Sequence, residues 1–292
     1  MSDQPRKVIF AGTPEFAISS LKALIVDPAF DVIGVITQPD KKVGRKQILT
    51  PPPIKAVAEQ NQIPIWQPKK INTEWPDRQS PFSESYDFLV VVAYGQILKQ
   101  DILDSPSIAP VNVHASLLPR WRGASPMQHA LLADDAHTGI TIQRMAVKLD
   151  SGPILSQERT DITDSTTIES MHDELAAVGA KLLVETLKNP ITEIEQEEQH
   201  ITICHKLSRK SGNVDPASQT ASEIERTIRA LVPWPGVRCD IDGDEVKLLE
   251  VLLEETENSI PLECKDSTLH IVTLQPPGKK PMSAKSWKRG RQ

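Results

Sequence analysis

The sequence predicts an α/β protein: an open, mostly parallel sheet covered by helices on both faces, followed by a smaller β-rich domain. Three observations predict it. Short β-branched apolar runs alternate with helix-like segments through the first half. The texture changes after Lys188, where Asn189-Pro190 breaks a helix and Glu193, Glu195, Glu197 and Glu198 make an acidic stretch. Beyond it, alternating strands replace the βα rhythm. The expected boundaries are 1–188 for the first domain, 189–210 for a linker and 211–292 for the second. A chain of 292 residues, 39% hydrophobic and 25% charged, can bury cores of this size.

Lys7 to Ala11 is the first strand; Gly12 turns the chain, and Thr13-Pro14 opens a helix that runs to about Val26. Asp31 to Thr37 is the second strand. The segment from Gln38 to Pro53 carries Lys41, Lys42, Gly44, Arg45, Lys46 and three consecutive prolines, which suit neither regular element and predict a long loop. Ile54 to Gln60 reads as helix, Asp87 to Ala93 as a buried strand, and Pro110 to His114 as a strand leading into Ser116. Ile140 to Met145 and Pro153 to Gln157 complete the sheet, and Thr166 to Leu187 has the spacing of an amphipathic helix. In the second domain Ser222 to Leu231 is helical, Trp234-Pro235-Gly236 turns, and Val237–Ile241, Val246–Leu253 and Leu269–Leu274 alternate like antiparallel strands.

Composition excludes several classes. No apolar run approaches the ~20 residues of a membrane span, and the N-terminus lacks the apolar stretch of a secretory signal. Cys204, Cys239 and Cys264 are widely spaced without a C-x-x-C pair, which argues against a disulfide framework or a zinc site and fits a reducing cytoplasm. A net charge of −6 disfavours general attraction to nucleic acid, but six cations and no acid lie between Gly278 and Gln292. That tail, and the cations from Lys41 to Lys46, are either solvated segments or phosphate-facing ones. The turn after the first strand, Ala11-Gly12-Thr13-Pro14-Glu15-Phe16, holds one glycine where a dinucleotide fingerprint needs three, so NAD is not expected. It would instead shape a substrate pocket through backbone approach, with Phe16 as an apolar wall.

Asn112 and His114 lie two residues apart at a strand end, so both side chains face one way and Val113 the other. An amide there can donate to an oxygen that gains charge, and an imidazole can exchange protons near neutrality. Asp150, before Ser151-Gly152, reads either as the cap of a tight turn or as the carboxylate that holds the ring. Between them, Arg120 and Arg122 flank Trp121 as a solvated loop or as contacts for an anion. This is a minimal kit for acyl transfer without a metal or a covalent enzyme intermediate.

These residues carry a resemblance. Val8-Ile9-Phe10-Ala11-Gly12-Thr13-Pro14, Val35-Ile36-Thr37-Gln38-Pro39-Asp40, Val91-Val92-Ala93-Tyr94-Gly95, Asn112 to Ala124, Leu149-Asp150-Ser151-Gly152, Trp234-Pro235 and Leu274 to Ser283 resemble the methionyl-tRNA formyltransferases among the 10-formyltetrahydrofolate-dependent formyltransferases. The resemblance implies a Rossmann-like catalytic domain and a C-terminal OB-like β-barrel that helps hold tRNA. It implies formyl transfer from 10-formyltetrahydrofolate to the α-amine of initiator methionyl-tRNA, in translation initiation, with no metal. Asn112, His114 and Asp150 would be the catalytic trio. Ser116, Leu117, Leu118, Pro119, Val91, Ala93, Tyr94, Gly95, Val147 and Leu149 would form the folate site. Gly12, Thr13, Phe16, Lys41, Lys42, Gly44, Arg45, Lys46, Arg120, Arg122, Lys206, Lys279 and Lys280 would face the methionyl end and the tRNA. The stretch between Leu253 and Leu274 looks short of a strand pair, so a shortened barrel is expected. The rival readings are a formyltransferase for a small amine, such as glycinamide ribonucleotide or a nucleotide-linked amino sugar, and a nucleic-acid-binding protein on an inactive scaffold. No exposed apolar seam is evident, and a monomer is expected.

Overall fold

The structure is a computed structural model that describes residues 4–44 and 46–291. The chain divides into two compact units. The first takes the residues up to Gly123, Thr138–Asp161 and His172–Ile203; the second takes Ala124–His137, Ile162–Met171 and everything from Cys204 on. The division is therefore not a single cut: most of the expected linker belongs to the first unit.

In the first unit the strands are β1 (Arg6–Gly12), β2 (Phe30–Ile36), β3 (Lys41–Val43), β4 (Ile48–Thr50), β5 (Ile65–Trp66), β6 (Phe88–Val92), β7 (Ala109–His114), β8 (Arg122–Gly123), β9 (His137–Arg144) and β10 (Ile154–Asp161). Seven of them form one sheet in the order β10-β9-β7-β6-β1-β2-β5. Strands β5, β2, β1, β6 and β7 run parallel, and β9 is antiparallel to β7. All of β6 and the last five residues of β1 are buried, as continuous apolar runs should be when helices cover both faces. Ile9, Ile36, Leu89 and Val91 pack with Trp75, Phe82, Tyr86 and Tyr94 in one core.

The chain leaves β1 toward β2 on one side and returns as β6 on the other. That reversal opens a crevice at the carboxyl ends of the strands, where open α/β sheets bind ligands. The Thr13 hydroxyl donates to the Tyr94 carbonyl at 2.8 Å and so joins the two loops that flank the crevice. Gly12 is required by packing: a Cβ there would lie 2.7 Å from the Phe10 ring and 3.1 Å from the Val92 carbonyl. The long helix Ile168–Lys188 covers the other face of β7, with Gly179 against Val113.

Two expectations are corrected. The segment 38–53 is not only loop, because β3 and β4 pair as a hairpin with Lys41 opposite Thr50 and Val43 opposite Ile48. Gly44 (φ 70°) and Gln47 (φ 51°) supply the left-handed turn that the proline-rich composition concealed. The second unit also has a strand where a gap was expected. After β11 (Ile203–Cys204), β12 (Val237–Ile241) and β13 (Asp244–Leu252), strand β14 (Ile260–Glu263) pairs with β15 (Thr268–Gln275). Strand β16 (Met282–Ser283) pairs with the later part of β15, giving a five-stranded antiparallel sheet in the order β12-β13-β15-β14, with β16 on β15. The sequence between Leu253 and Leu274 is polar, which hid the short strand, but the chain needs only four residues to cover the edge of β15.

Helix Ala221–Leu231 packs on this sheet and on helix Pro126–Leu132. Its start is a reciprocal cap, with the Thr220 hydroxyl accepting from the Glu223 N–H at 3.1 Å and the Glu223 carboxylate accepting from the Thr220 N–H at 2.8 Å. Among the described residues no helix is long and apolar enough to cross a membrane.

Candidate active site

The end of β7 carries the site. Asn112 lies directly opposite Gln143 of β9, and directly opposed antiparallel residues share a face. His114, two residues on, is 6% exposed, and its Nε2 meets the Trp121 carbonyl at 2.9 Å. A carbonyl only accepts, so Nε2 carries the proton and Nδ1 is the nitrogen turned to Asp150. The Nδ1 to Asp150 Oδ1 distance is 3.8 Å, a charge contact rather than a hydrogen bond.

Asp150 is held from several sides. Its Oδ2 accepts from the Gly123 N–H at 2.8 Å and its Oδ1 from Gln143 Nε2 at 3.3 Å. The Gln196 amide donates to the Asp150 carbonyl at 2.9 Å and to the Gly152 carbonyl at 2.7 Å. Asp150 sits at φ 50°, Trp121 at 60° and Ala93 at 48°, left-handed conformations uncommon for residues with a Cβ. Such outliers gather where a surrounding structure overrides local preference, commonly at functional sites. A Cβ on Gly152 would fall 1.9 Å from the Arg144 carbonyl, so the turn admits only glycine there.

Asn112, His114 and Asp150 thus come together in one unit. The remaining expected residues divide. Val147 and Leu149 are exposed by 55% and 60%. Ala93 and Gly95 expose backbone at the exit of β6, and the nearest atom to a Cβ on Gly95 is the Gln38 amide at 3.9 Å. Leu117 and Pro119 are half-buried. Ser116 and Leu118 turn inward instead, the Ser116 hydroxyl donating to the Arg120 carbonyl at 2.6 Å. Val91 is core, and the Tyr94 ring is buried, so only its backbone reaches the crevice; burial also pushes its phenol pKa up.

Two expectations on the methionyl and tRNA side are corrected. Phe16 is no open wall: it is 6% exposed and packs edge-on against His172, with ring centroids 5.5 Å apart. Arg122 is no surface cation, because it is 5% exposed and forks into Gln196 Oε1 at 2.9 and 2.7 Å. Burial lowers the pKa of its guanidinium, and the charges of Asp150 and Glu198 oppose that shift. Arg120 stays exposed and stacks on the Trp121 ring at 4.4 Å. Lys41, Lys42, Gly44 and Lys46 are exposed on the hairpin, while Arg45 lies outside the described residues. Lys206, Lys279 and Lys280 are exposed in the second unit.

Sequence reasoning missed Gln143 and Gln196. Gln143 had a signal: Thr141 and Gln143 alternate with Ile140 and Ile142 in a buried strand, which asks for polar partners. Gln196, inside an acidic run, had none.

The chain that carries this open α/β sheet belongs to the formyl transferases. The formyl transferase family model matches residues 6–187, and the family's C-terminal domain matches 206–292. Proteins named methionyl-tRNA formyltransferase are similar along almost the whole chain. The one from Stutzerimonas stutzeri is 39% identical, covering 96% of this chain and 93% of its own. The one from Magnetococcus marinus is 40% identical, covering 97% and 95%. Among solved structures, an N-formyltransferase from Helicobacter canadensis in complex with folinic acid and dTDP-3-aminofucose has a TM-score of 0.70 at 18% identity, over 93% of this chain and 99% of that one. HypX from Aquifex aeolicus in complex with tetrahydrofolic acid has a TM-score of 0.64 at 12% identity, over 98% of this chain and 47% of that one. The chain belongs to the methionyl-tRNA formyltransferase family.

Proposed function

We propose that this chain formylates the α-amino group of initiator methionyl-tRNA, with Asn112, His114 and Asp150 as its catalytic residues. The observation that carries the reading is the convergence of Asp150 on His114, 36 residues apart in the chain, on the face Asn112 shares with Gln143. The crevice fits a folate: exposed Val147 and Leu149 offer apolar surface, and the open backbone at Ala93 and Gly95 offers polar groups for a flat heterocycle. When bound, 10-formyltetrahydrofolate supplies the formyl group.

The residues act as follows. Asn112 donates its amide to the formyl oxygen as that oxygen gains charge under attack by the methionyl amine. That amine has a reference pKa of ~7.7–8.0, so a useful fraction is neutral without an enzyme base. His114 is fixed by its Nε2–H to Trp121, which leaves Nδ1 to take the proton from the attacking amine and return it to N10 of the folate as the formyl carbon–N10 bond breaks and tetrahydrofolate departs. Asp150 stabilises the protonated ring across 3.8 Å. Gly123 and Gln143 keep that carboxylate aimed, and no step requires an enzyme nucleophile.

The hairpin β3–β4 presents Lys41, Lys42 and Lys46 to tRNA phosphates, and the exposed Lys279 and Lys280 supply further charge. The experiment incubates the protein with labelled 10-formyltetrahydrofolate and three acceptors: charged initiator tRNA, glycinamide ribonucleotide and a nucleotide-linked amino sugar. Label on the aminoacyl-tRNA supports the reading, and label on a small amine alone overturns it.

A further inference from the structure

We infer that Gln196 is a positioning residue for the reaction, and that the segment after the long helix frames the active site rather than merely connecting two domains. The inference rests on the reading of Asp150 as a site carboxylate. It starts from how Asp150 is held in a conformation its own backbone disfavours, at φ 50°. Only outside contacts can hold it there, and the amide of Gln196 makes two of them. Its Nε2 donates to the carbonyls of Asp150 and Gly152 at 2.9 and 2.7 Å, which bracket the turn. Its Oε1 accepts both Nε and Nη2 of Arg122 at 2.9 and 2.7 Å. One half-buried amide thus uses its donors on the Asp150 turn and its acceptor on the loop that follows His114.

Further along, the segment is tied a second time to the loop that follows His114. Thr202 accepts from the Trp121 N–H through its hydroxyl at 2.8 Å and from the Arg122 N–H through its carbonyl at 2.9 Å. Trp121 in turn holds the His114 ring, and the Gly123 N–H holds the Asp150 carboxylate. The segment itself is anchored to β10, with Ile194 and Ile154 exchanging backbone hydrogen bonds at 2.8 and 2.9 Å. Gln196 joins the two loops and Thr202 fixes the one that holds the imidazole, so both act with Gly123 and Gln143 on the separation between the imidazole and the carboxylate. Reaction rates are sensitive to that separation, since a displacement of about 1 Å costs on the order of 100-fold.

The test is kinetic. Gln196→Met keeps length and bulk while removing donor and acceptor. It should lower kcat by roughly 10–100-fold. KM for the folate and for tRNA should stay within about threefold, so that the loss falls on kcat. Gln196→Glu retains an acceptor for Arg122 but no donor for the Asp150 turn, and should lose a similar factor. Adding Arg122→Met to Gln196→Met should cost little more than the worse single change, since the two act as one unit. Turnover within about twofold of the parent in either Gln196 variant, or a loss carried by KM rather than kcat, overturns the inference. Asp150→Asn is run beside them. If it turns over normally, the reading of Asp150 fails on its own account, whatever Gln196 does.

Discussion

The turn around Asp150 and the hairpin β3–β4 belong to the same compact unit, yet they are built on opposite plans. At Asp150 the carboxylate is 10% exposed, both oxygens are engaged, and neighbouring residues sit in backbone conformations imposed from outside. On the hairpin all six strand residues are exposed, with Lys41, Lys42 and Lys46 beside Val43, Ile48 and Leu49. A lone two-stranded hairpin is marginal in water, so this one depends on its feet. There Lys55 Nζ reaches both Asp40 oxygens at 3.0 and 2.9 Å, and Gln67 Nε2 reaches Asp40 Oδ1 at 2.7 Å. The contrast follows from what each region must do. Proton transfer and oxyanion stabilisation depend steeply on distance, whereas attraction to phosphate depends on charge delivered to the right neighbourhood.

The comparison can be broken at either end. The largest expected effect is at the strand edge: Asn112→Ala should reduce kcat by ~100–1,000-fold with an almost unchanged melting curve. Retained turnover there would remove acyl transfer from this niche. Next, Gly152→Ala forces a Cβ to within 1.9 Å of the Arg144 carbonyl, and should cost ~1–3 kcal/mol of stability along with turnover. Equal melting temperatures for variant and parent would show that the turn yields.

On the hairpin, replacing Lys41, Lys42 and Lys46 together by alanine should raise KM for tRNA roughly tenfold at low salt. The log–log salt slope should fall by ~0.9 for each phosphate that a lysine no longer neutralises, with kcat and melting temperature unmoved. An unaltered slope would mean that these lysines meet only solvent.

The smallest effect concerns Asp40, whose pKa is held below the usual carboxylate value by the hydrogen bond from Gln67 and then by that from Lys55. A depressed folded pKa contributes stability that is complete above the unfolded pKa and disappears as the pH falls through the folded one. Asp40→Asn should therefore lower the melting temperature slightly in the neutral range and flatten the acid limb below about pH 4, where the parent loses the same contribution. A parallel shift at every pH would show a packing effect instead.

Much of the first unit was legible in the chain. The continuous apolar runs of β1 and β6 could only be strands covered on both faces, and the spacing of Asn112 and His114 dictated a shared face. Short elements were less visible: β5, β14 and the hairpin strands have two to four residues each, too few for periodicity to register. Arg122 shows the limit for single residues. As one of two arginines beside a tryptophan it looked like a surface cation, and only folding turned it inward onto Gln196.

Local pattern alone determined which residue types stood at the strand ends, because alternation and turn chemistry act over a few positions. The convergence of Asp150 on His114, the inward turn of Arg122 and the part taken by Gln196 were decided by tertiary structure. These contacts join residues many positions apart, and each exists only because packed strands and a returning segment bring the two loops within hydrogen-bonding reach.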